Sequence, residues 1–230
     1  MTRIITILAV FSLLGMALLP TIESFSRIGI GIPPIPGSEG FVLLATLWVA
    51  FLGAILAARD KRLLALSQEA EYSENQPVSL RVLYSNTMTF MLVSVMTYAS
   101  AGFVLENFAA ETKVVPAPFW VVAVIIPIGF ALITTSVFMV SPKNNLIRGS
   151  MILAVIIVAI MGYFELFTQA NFFWMGIILI LLSFPTGVPI FAVLGGIAML
   201  ILHYNDGTIL AIANEAFTLT EKYEYATIPL

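Results

Sequence analysis

Residues 38–59 read SEGFVLLATLWVAFLGAILAAR, with one acid near the start, one base at the end and no charge between them. A stretch of that length and composition matches a helix crossing a hydrocarbon layer about 30 Å thick. In lipid every backbone N–H and C=O has to be paired within the protein, which leaves helices or a closed barrel. An unbroken apolar run, rather than a ten-residue alternation, selects the helix. Comparable runs recur along the whole chain of 230 residues, of which 60% are hydrophobic and 10% charged, with a mean hydropathy of +1.03. Soluble domains carry about a quarter charged residues. The fold class that follows is all-α integral membrane: a bundle of about six transmembrane helices.

Working outward, the first apolar run is Ile4 to Leu19, expected to end at Pro20. A signal peptide would look similar, but no small-x-small cleavage site follows, so a retained helix is expected. Residues 21–37 read as a Pro/Gly-rich loop, with Pro33, Pro34 and Pro36 blocking regular structure. After the second helix, residues 63–82 combine Leu63, Leu64 and Leu66 with Glu69, Glu71 and Glu74, the composition of a segment lying at a membrane surface. A third helix is expected over 83–105 and a fourth over 119–140 with Pro127 inside it. A fifth covers 146–167, after the polar turn Ser141-Pro142-Lys143-Asn144-Asn145. Asn171 to Tyr204 is apolar but interrupted at Pro185, Gly187 and Pro189, and reads either as one kinked helix or as two half-helices.

The basic residues orient the bundle. With the N-terminus cytoplasmic, Arg3, Arg59, Lys61, Arg62, Arg81, Lys143, Arg148 and Lys222 lie inside, and only Arg27 and Lys113 outside. Trp120 and Trp174 begin their helices as interfacial anchors do, whereas Trp48 falls in mid-span.

Little in the sequence points to catalysis. There is no cysteine, and the single histidine, His203, has no second ligand to share a metal with. Ser94, Ser100 and Ser136 lie within helices, where hydroxyls bond to the preceding turn's carbonyls. The scattered Lys and Arg residues offer no nucleic-acid surface. Glu39, Glu106 and Glu165 sit near helix ends, with no partner at a spacing that suggests a proton relay or cation cage. Glu39 opens the second helix, where a carboxylate suits the dipole, and Glu165 lies deepest. Small residues are more telling. Gly53, Ala54, Ala57 and Ala58 make a small face on the second helix, and Ala192, Gly195, Gly196 and Ala198 another on the last, as packing seams require. Pro127-Ile128-Gly129 and Pro185-Thr186-Gly187-Val188-Pro189 can break helices, and transporters use such ends to hold ions and substrates.

Glu39 followed by Trp48-Val49-Ala50-Phe51-Leu52-Gly53-Ala54 and Ala57-Ala58-Arg59 resembles the second helix of the small (DctQ-like) membrane subunit of tripartite ATP-independent periplasmic (TRAP) transporters. Pro118-Phe119-Trp120 with Ile126-Pro127-Ile128-Gly129-Phe130 is similar to that subunit's fourth helix. Gly187-Val188-Pro189-Ile190-Phe191-Ala192 looks like the start of the large (DctM-like) subunit, and Thr227-Ile228-Pro229-Leu230 like a later stretch of it. Two features depart from the family pattern: Ser38-Glu39 replaces an acidic pair, and Leu63-Leu64 stand where a histidine is usual.

The resemblance implies three parts: a four-helix small-subunit-like domain (1–142), a connecting helix (143–170) and the start of a large-subunit-like transport domain (171–230). It implies a multi-pass protein of the bacterial inner membrane and no enzyme. Its role would be a scaffold in sodium-driven, binding-protein-dependent uptake of small organic acids of the C4-dicarboxylate type. The implied partners are a large membrane subunit, a periplasmic substrate-binding protein and the lipid bilayer. No cofactor is implied, and sodium coupling belongs to the complete system only. The residues expected to carry scaffold packing and depth are Glu39, Gly53, Ala54, Ala57, Arg59, Trp120, Pro127, Gly129, Gly187 and Pro189. No substrate ligand is expected within the chain. Two rival expectations are an inactive truncated fragment and an autonomous oligomeric helical membrane protein.

Overall fold

One long helix, α3 (Leu80–Glu106), forms the axis on which most of the protein is laid. The structure, a computed structural model, describes residues 2–27, 38–60, 62–65, 78–106, 113–115, 117–118 and 123–205. Ahead of α3 come α1 (Thr2–Arg27) and α2 (Ser38–Arg59), packed on each other. Behind it come α4 (Ile125–Val140), α5 (Asn145–Tyr163), α6 (Ala170–Leu182) and α7 (Ile190–Tyr204), with 3-10 turns at Leu166–Thr168 and Phe184–Thr186. Two very short strands, β1 (Lys113–Val115) and β2 (Ala117–Pro118), pair antiparallel between α3 and α4. Arg3–Ile22, Leu80–Leu105 and Asn145–Tyr163 are long and apolar enough to cross a membrane; α2 has 22 residues, and the apolar α4, α6 and α7 are shorter.

Side-chain pairs fix the helix directions. Thr97–Thr134 and Phe90–Phe138 run α4 antiparallel to α3; α5, which leaves α4 through the short turn 141–144 and packs Ile147 on Val82 and Ser150 on Thr87, returns parallel to α3. The 170–204 region resolves into two half-helices of about 20 Å each at 1.5 Å per residue. They are folded back on one another: Phe173 stacks on Tyr204, Gly176 faces Leu200, and Ile180 faces Gly196. A single kinked span is thereby excluded, because α6 and α7 lie side by side as a hairpin.

Four other boundaries differ from expectation. α1 continues through Pro20 to Arg27, while 28–37 lie outside the described residues. A proline removes one backbone bond, but unwinding would expose many more groups. The helix of α3 begins at Leu80, and most of the expected surface segment (66–77) lies outside the described residues. The α4 helix starts at Ile125, so Pro127 falls in its first turn, where a missing N–H costs no intrahelical bond. The α5 helix stops at Tyr163, short of Phe167, because Glu165 takes a left-handed backbone (φ 52°).

Between lipid-embedded helices there is little hydrophobic driving force, so close packing and hydrogen bonds have to hold them. The main core joins Leu52, Ile55 and Ala58 of α2 to Met88, Leu92 and Val93 of α3, Ile133 of α4, Ile180 of α6, and Ala192 and Val193 of α7. The close approaches are glycine seams. Gly129 lies against Phe51, Gly195 against Met96, Gly196 against Leu92 and Ile180, and Gly176 against Leu200. A Cβ on Gly196 would stand 2.6 Å from Leu92 Cδ2, whereas one on Gly149 would meet nothing. Gly196→Leu is therefore expected to cost about 1–3 kcal/mol through overpacking, read as a lower thermal midpoint in detergent, with Gly149→Leu near neutral. Equal midpoints for the two variants would remove the α3–α7 seam from this account.

Candidate functional site

A break inside a lipid-embedded helix pair leaves orphan carbonyls at the end of the first half and orphan N–H groups at the start of the second. The hairpin tip, residues 183–189, is such a break: Ser183, Gly187, Val188 and Pro189 are buried, Phe184 and Thr186 are partly buried, and Pro185 is exposed. Gly187 has φ 100°, a left-handed backbone that a side chain would strain, so the chain reverses there on a glycine. Pro189 precedes the first turn of α7 with φ −59°, its missing N–H lying where no helical acceptor exists.

The tip's polar groups can be followed one by one. Tyr84 of α3 donates its hydroxyl to the Leu179 carbonyl. Ser183 donates its backbone N–H (3.0 Å) and its Oγ to the Ile180 carbonyl. Thr186 donates N–H (3.1 Å) and Oγ1 (2.7 Å) to the Ser183 carbonyl. Arg81 Nε reaches the Thr186 carbonyl at 3.5 Å, a long contact that sets a cation at the helix break. At the start of α7, Ile190 N–H donates to the Leu64 carbonyl at 2.9 Å, with Ala65 and Pro189 bridged as antiparallel strand residues. Ala192 and Val193 donate to the Pro189 carbonyl. The break is thus held by its own hydroxyls, by the first turns of α3 and by the strap after α2.

The other expected residues are dispersed. Gly129 packs on Phe51, with Phe130 edge-on to the same ring at 5.2 Å. Pro127 lies in the first turn of α4, and Arg59 is the exposed last residue of α2. Ala54 and Ala57 are partly buried, but Gly53 faces open space, so its side of α2 is not a seam within the chain. Glu39 stands in the first turn of α2, its side chain outside the described set, and Trp120 lies outside the described residues. Glu165 falls beyond α5 and is exposed, rather than lying inside the helix. His203 sits edge-on to Phe167, its Nε2 enclosed without a hydrogen-bond partner. Ser94, Ser100 and Ser136 all donate to carbonyls of the preceding turn. Among the described residues no three His, Cys, Asp or Glu converge on one point.

Tyr84, Arg81 and Gly176 were not singled out from the sequence. A tyrosine and an arginine together in the first turns of an apolar helix were the available signal for the first two.

Residues 16–141, more than half of the chain, match the family described as tripartite ATP-independent periplasmic transporters, DctQ component. The chain belongs to that family. It is therefore a membrane-embedded component of a TRAP transporter and not a member of an enzyme family. No curated protein and no solved structure matches the chain. The family match takes in α2, α3, α4 and the later part of α1 (16–27), while α5 and the hairpin lie beyond it.

Tyr84→Phe leaves the Leu179 carbonyl without its partner inside the bundle. A cost of about 1–3 kcal/mol is expected for that unsatisfied group. Amide hydrogen exchange over 180–193 should quicken by about tenfold or more, with α1 unchanged. Unaltered exchange at the tip would show that Tyr84 does not hold it.

Proposed function

We propose that this chain is the membrane scaffold of a sodium-driven, binding-protein-dependent uptake system for small organic acids of the C4-dicarboxylate type. Family membership over α1–α4 is the observation that carries the reading. Its partners are a large membrane subunit and a periplasmic substrate-binding protein, in the bacterial inner membrane. In this reading residues 1–142 form the small-subunit-like domain, 143–170 the connection and 171–230 the start of a large-subunit-like part. About six spans are disposed with the N-terminus in the cytoplasm. The charge distribution supports that orientation: Arg59, Arg62, Arg81, Lys143 and Arg148 belong to the end of α2, the start of α3 and the α4–α5 turn, which share one end of the bundle.

Mechanistically, the scaffold contributes position rather than ligands. It holds a frame of fixed depth against which a large subunit carries substrate across the bilayer. The open face around Gly53 is the natural seat for that partner, because a glycine admits close helix approach.

Reconstitution tests the reading. Proteoliposomes holding the chain with a large subunit should accumulate a C4-dicarboxylate only with an inward sodium gradient and the binding protein outside. Uptake indifferent to both would overturn it. Gly53→Leu should leave the chain's own thermal midpoint unchanged, since no atom lies in its path, yet lower co-purification with the large subunit by about tenfold (about 1.4 kcal/mol). Unchanged co-purification would move the interface elsewhere on the surface.

A further inference from the structure

The helix α5 (Asn145–Tyr163) is long and apolar enough to cross a membrane, about 28 Å at 1.5 Å per residue, and it serves as a ruler for the hairpin that follows it. At one end, Val82 of α3 shares a buried cluster with Ile147 in the first turn of α5, and the adjacent Arg81 reaches the Thr186 carbonyl at the hairpin tip. At the other end, Phe167, just after α5, lies edge-on to His203 with ring centres 6.3 Å apart, and Phe173 stacks on Tyr204 at 4.3 Å. The tip is therefore level with the start of α5, and the open end of the hairpin with its close. The apolar run Ala170–Thr186 has the reach this needs, about 25 Å at 1.5 Å per residue in α6 and 2.0 Å in the 3-10 turn.

The exposed surface is sorted along that length. Between the two ends it is aliphatic, as at Ile156, Ile160, Ile178 and Leu194. At the open end it turns aromatic: Tyr163 (84% exposed), Phe164 (65%), Trp174 (61%) and Tyr204 are uncovered, among the exposed polar residues Glu165, Gln169, Asn171 and Asn205. At the tip end it is cationic, with Arg81 exposed at the tip itself and Arg62 exposed where the strap that holds Ile190 begins. Tyrosine and tryptophan collect where hydrocarbon meets headgroups, and arginines near helix ends extend to the same boundary. A bilayer imposes this order of aliphatic, then aromatic and polar, whereas a protein partner does not require it.

We propose that α6 and α7 cross the bilayer as two separate passes, with Tyr163, Phe164, Trp174 and Tyr204 seated in one headgroup layer and Pro185 emerging at the other. A re-entrant loop, by contrast, would turn back within the hydrocarbon. The inference rests on the chain lying in a membrane, and not on the substrate, the coupling ion or which side is cytoplasmic.

The chain has no cysteine, so single cysteines can be placed in the full chain without background labelling. Lys143→Cys marks the basic end, Gln169→Cys the aromatic end and Pro185→Cys the tip, all at exposed positions. Right-side-out and inverted membrane vesicles are each treated with a membrane-impermeant maleimide. Pro185→Cys is expected to label in the vesicles that label Lys143→Cys, and to lose labelling in those that label Gln169→Cys. Labelling alongside Gln169→Cys, or in neither vesicle type until detergent is added, would overturn the two-pass arrangement. If Pro185→Cys does not give a folded protein, Thr186→Cys reports the same tip, since Arg81 bonds there to a backbone carbonyl. Trp174 tests the aromatic end. With Trp48 and Trp120 replaced by phenylalanine it is the one tryptophan left, and lipids brominated near the headgroup should quench it more than lipids brominated near the chain end. The reverse order would sink the collar into the hydrocarbon, and no quenching by either lipid would put a protein surface over it; both results refute the seating in the headgroup layer.

Discussion

A polypeptide that stops being helical within an apolar bundle releases backbone groups that need partners, and much of this structure follows from how one such interruption is held. At residues 183–189 the partners come from three places: the hydroxyls of Ser183 and Thr186, the first turns of α3 through Arg81 and Tyr84, and the extended residues Leu64 and Ala65 after α2. Each is a short-range contact, so the hairpin has one seat. That seat explains the mixed character of α3, which carries hydroxyls along most of its length although it is a long span. Ser94, Thr97 and Ser100 turn back to carbonyls of their own helix, Thr87 and Thr97 also reach α5 and α4, and the polar groups at its start serve the hairpin.

Packing in such a bundle depends on shape more than on transfer from water, since lipid tails are as apolar as the side chains they replace. Gly129, Gly176, Gly195 and Gly196 mark where one helix accepts the side chain of another. Gly53 has the same composition cue and a different environment, with no neighbour within 4 Å. The contrast separates glycines that build this chain's own core from those, Gly53, Gly15, Gly149 and Gly162, that have no neighbour among the described residues.

The fold class and most helices were legible because the signal is long: twenty apolar residues without a charge have few other readings in a membrane. The serines were legible for a local reason, since a hydroxyl in a helix has its acceptor one turn back. What could not be read depends on contacts between distant residues. Pro185, Gly187 and Pro189 mark a break, but the direction of the chain after it is set by Phe173–Tyr204 and Gly176–Leu200, pairs 31 and 24 residues apart in the numbering. The same holds for Tyr84 and the strap at Leu64, whose acceptor and donor lie far along the chain. Pro20 misled for a different reason. In water a proline in mid-run often ends a helix, whereas in lipid the released groups would have nowhere to go, and α1 continues to Arg27. Among the candidate site residues, Gly187 and Pro189 were found by their backbone chemistry, which marks the break at which the chain reverses.

The family match ends at Ser141, yet the core does not. Ile180, Val188, Ala192 and Val193 of the hairpin lie in the same buried cluster as Leu52 and Ile55 of α2, Leu92 and Val93 of α3, and Ile133 of α4. Resemblance to a family and packing therefore divide the chain differently. Moving the hairpin away from α3 would break the Tyr84, Arg81 and Leu64 contacts together and open the Gly195–Gly196 seam. A hairpin bound in that way is packed as part of the same bundle as the family-matched helices.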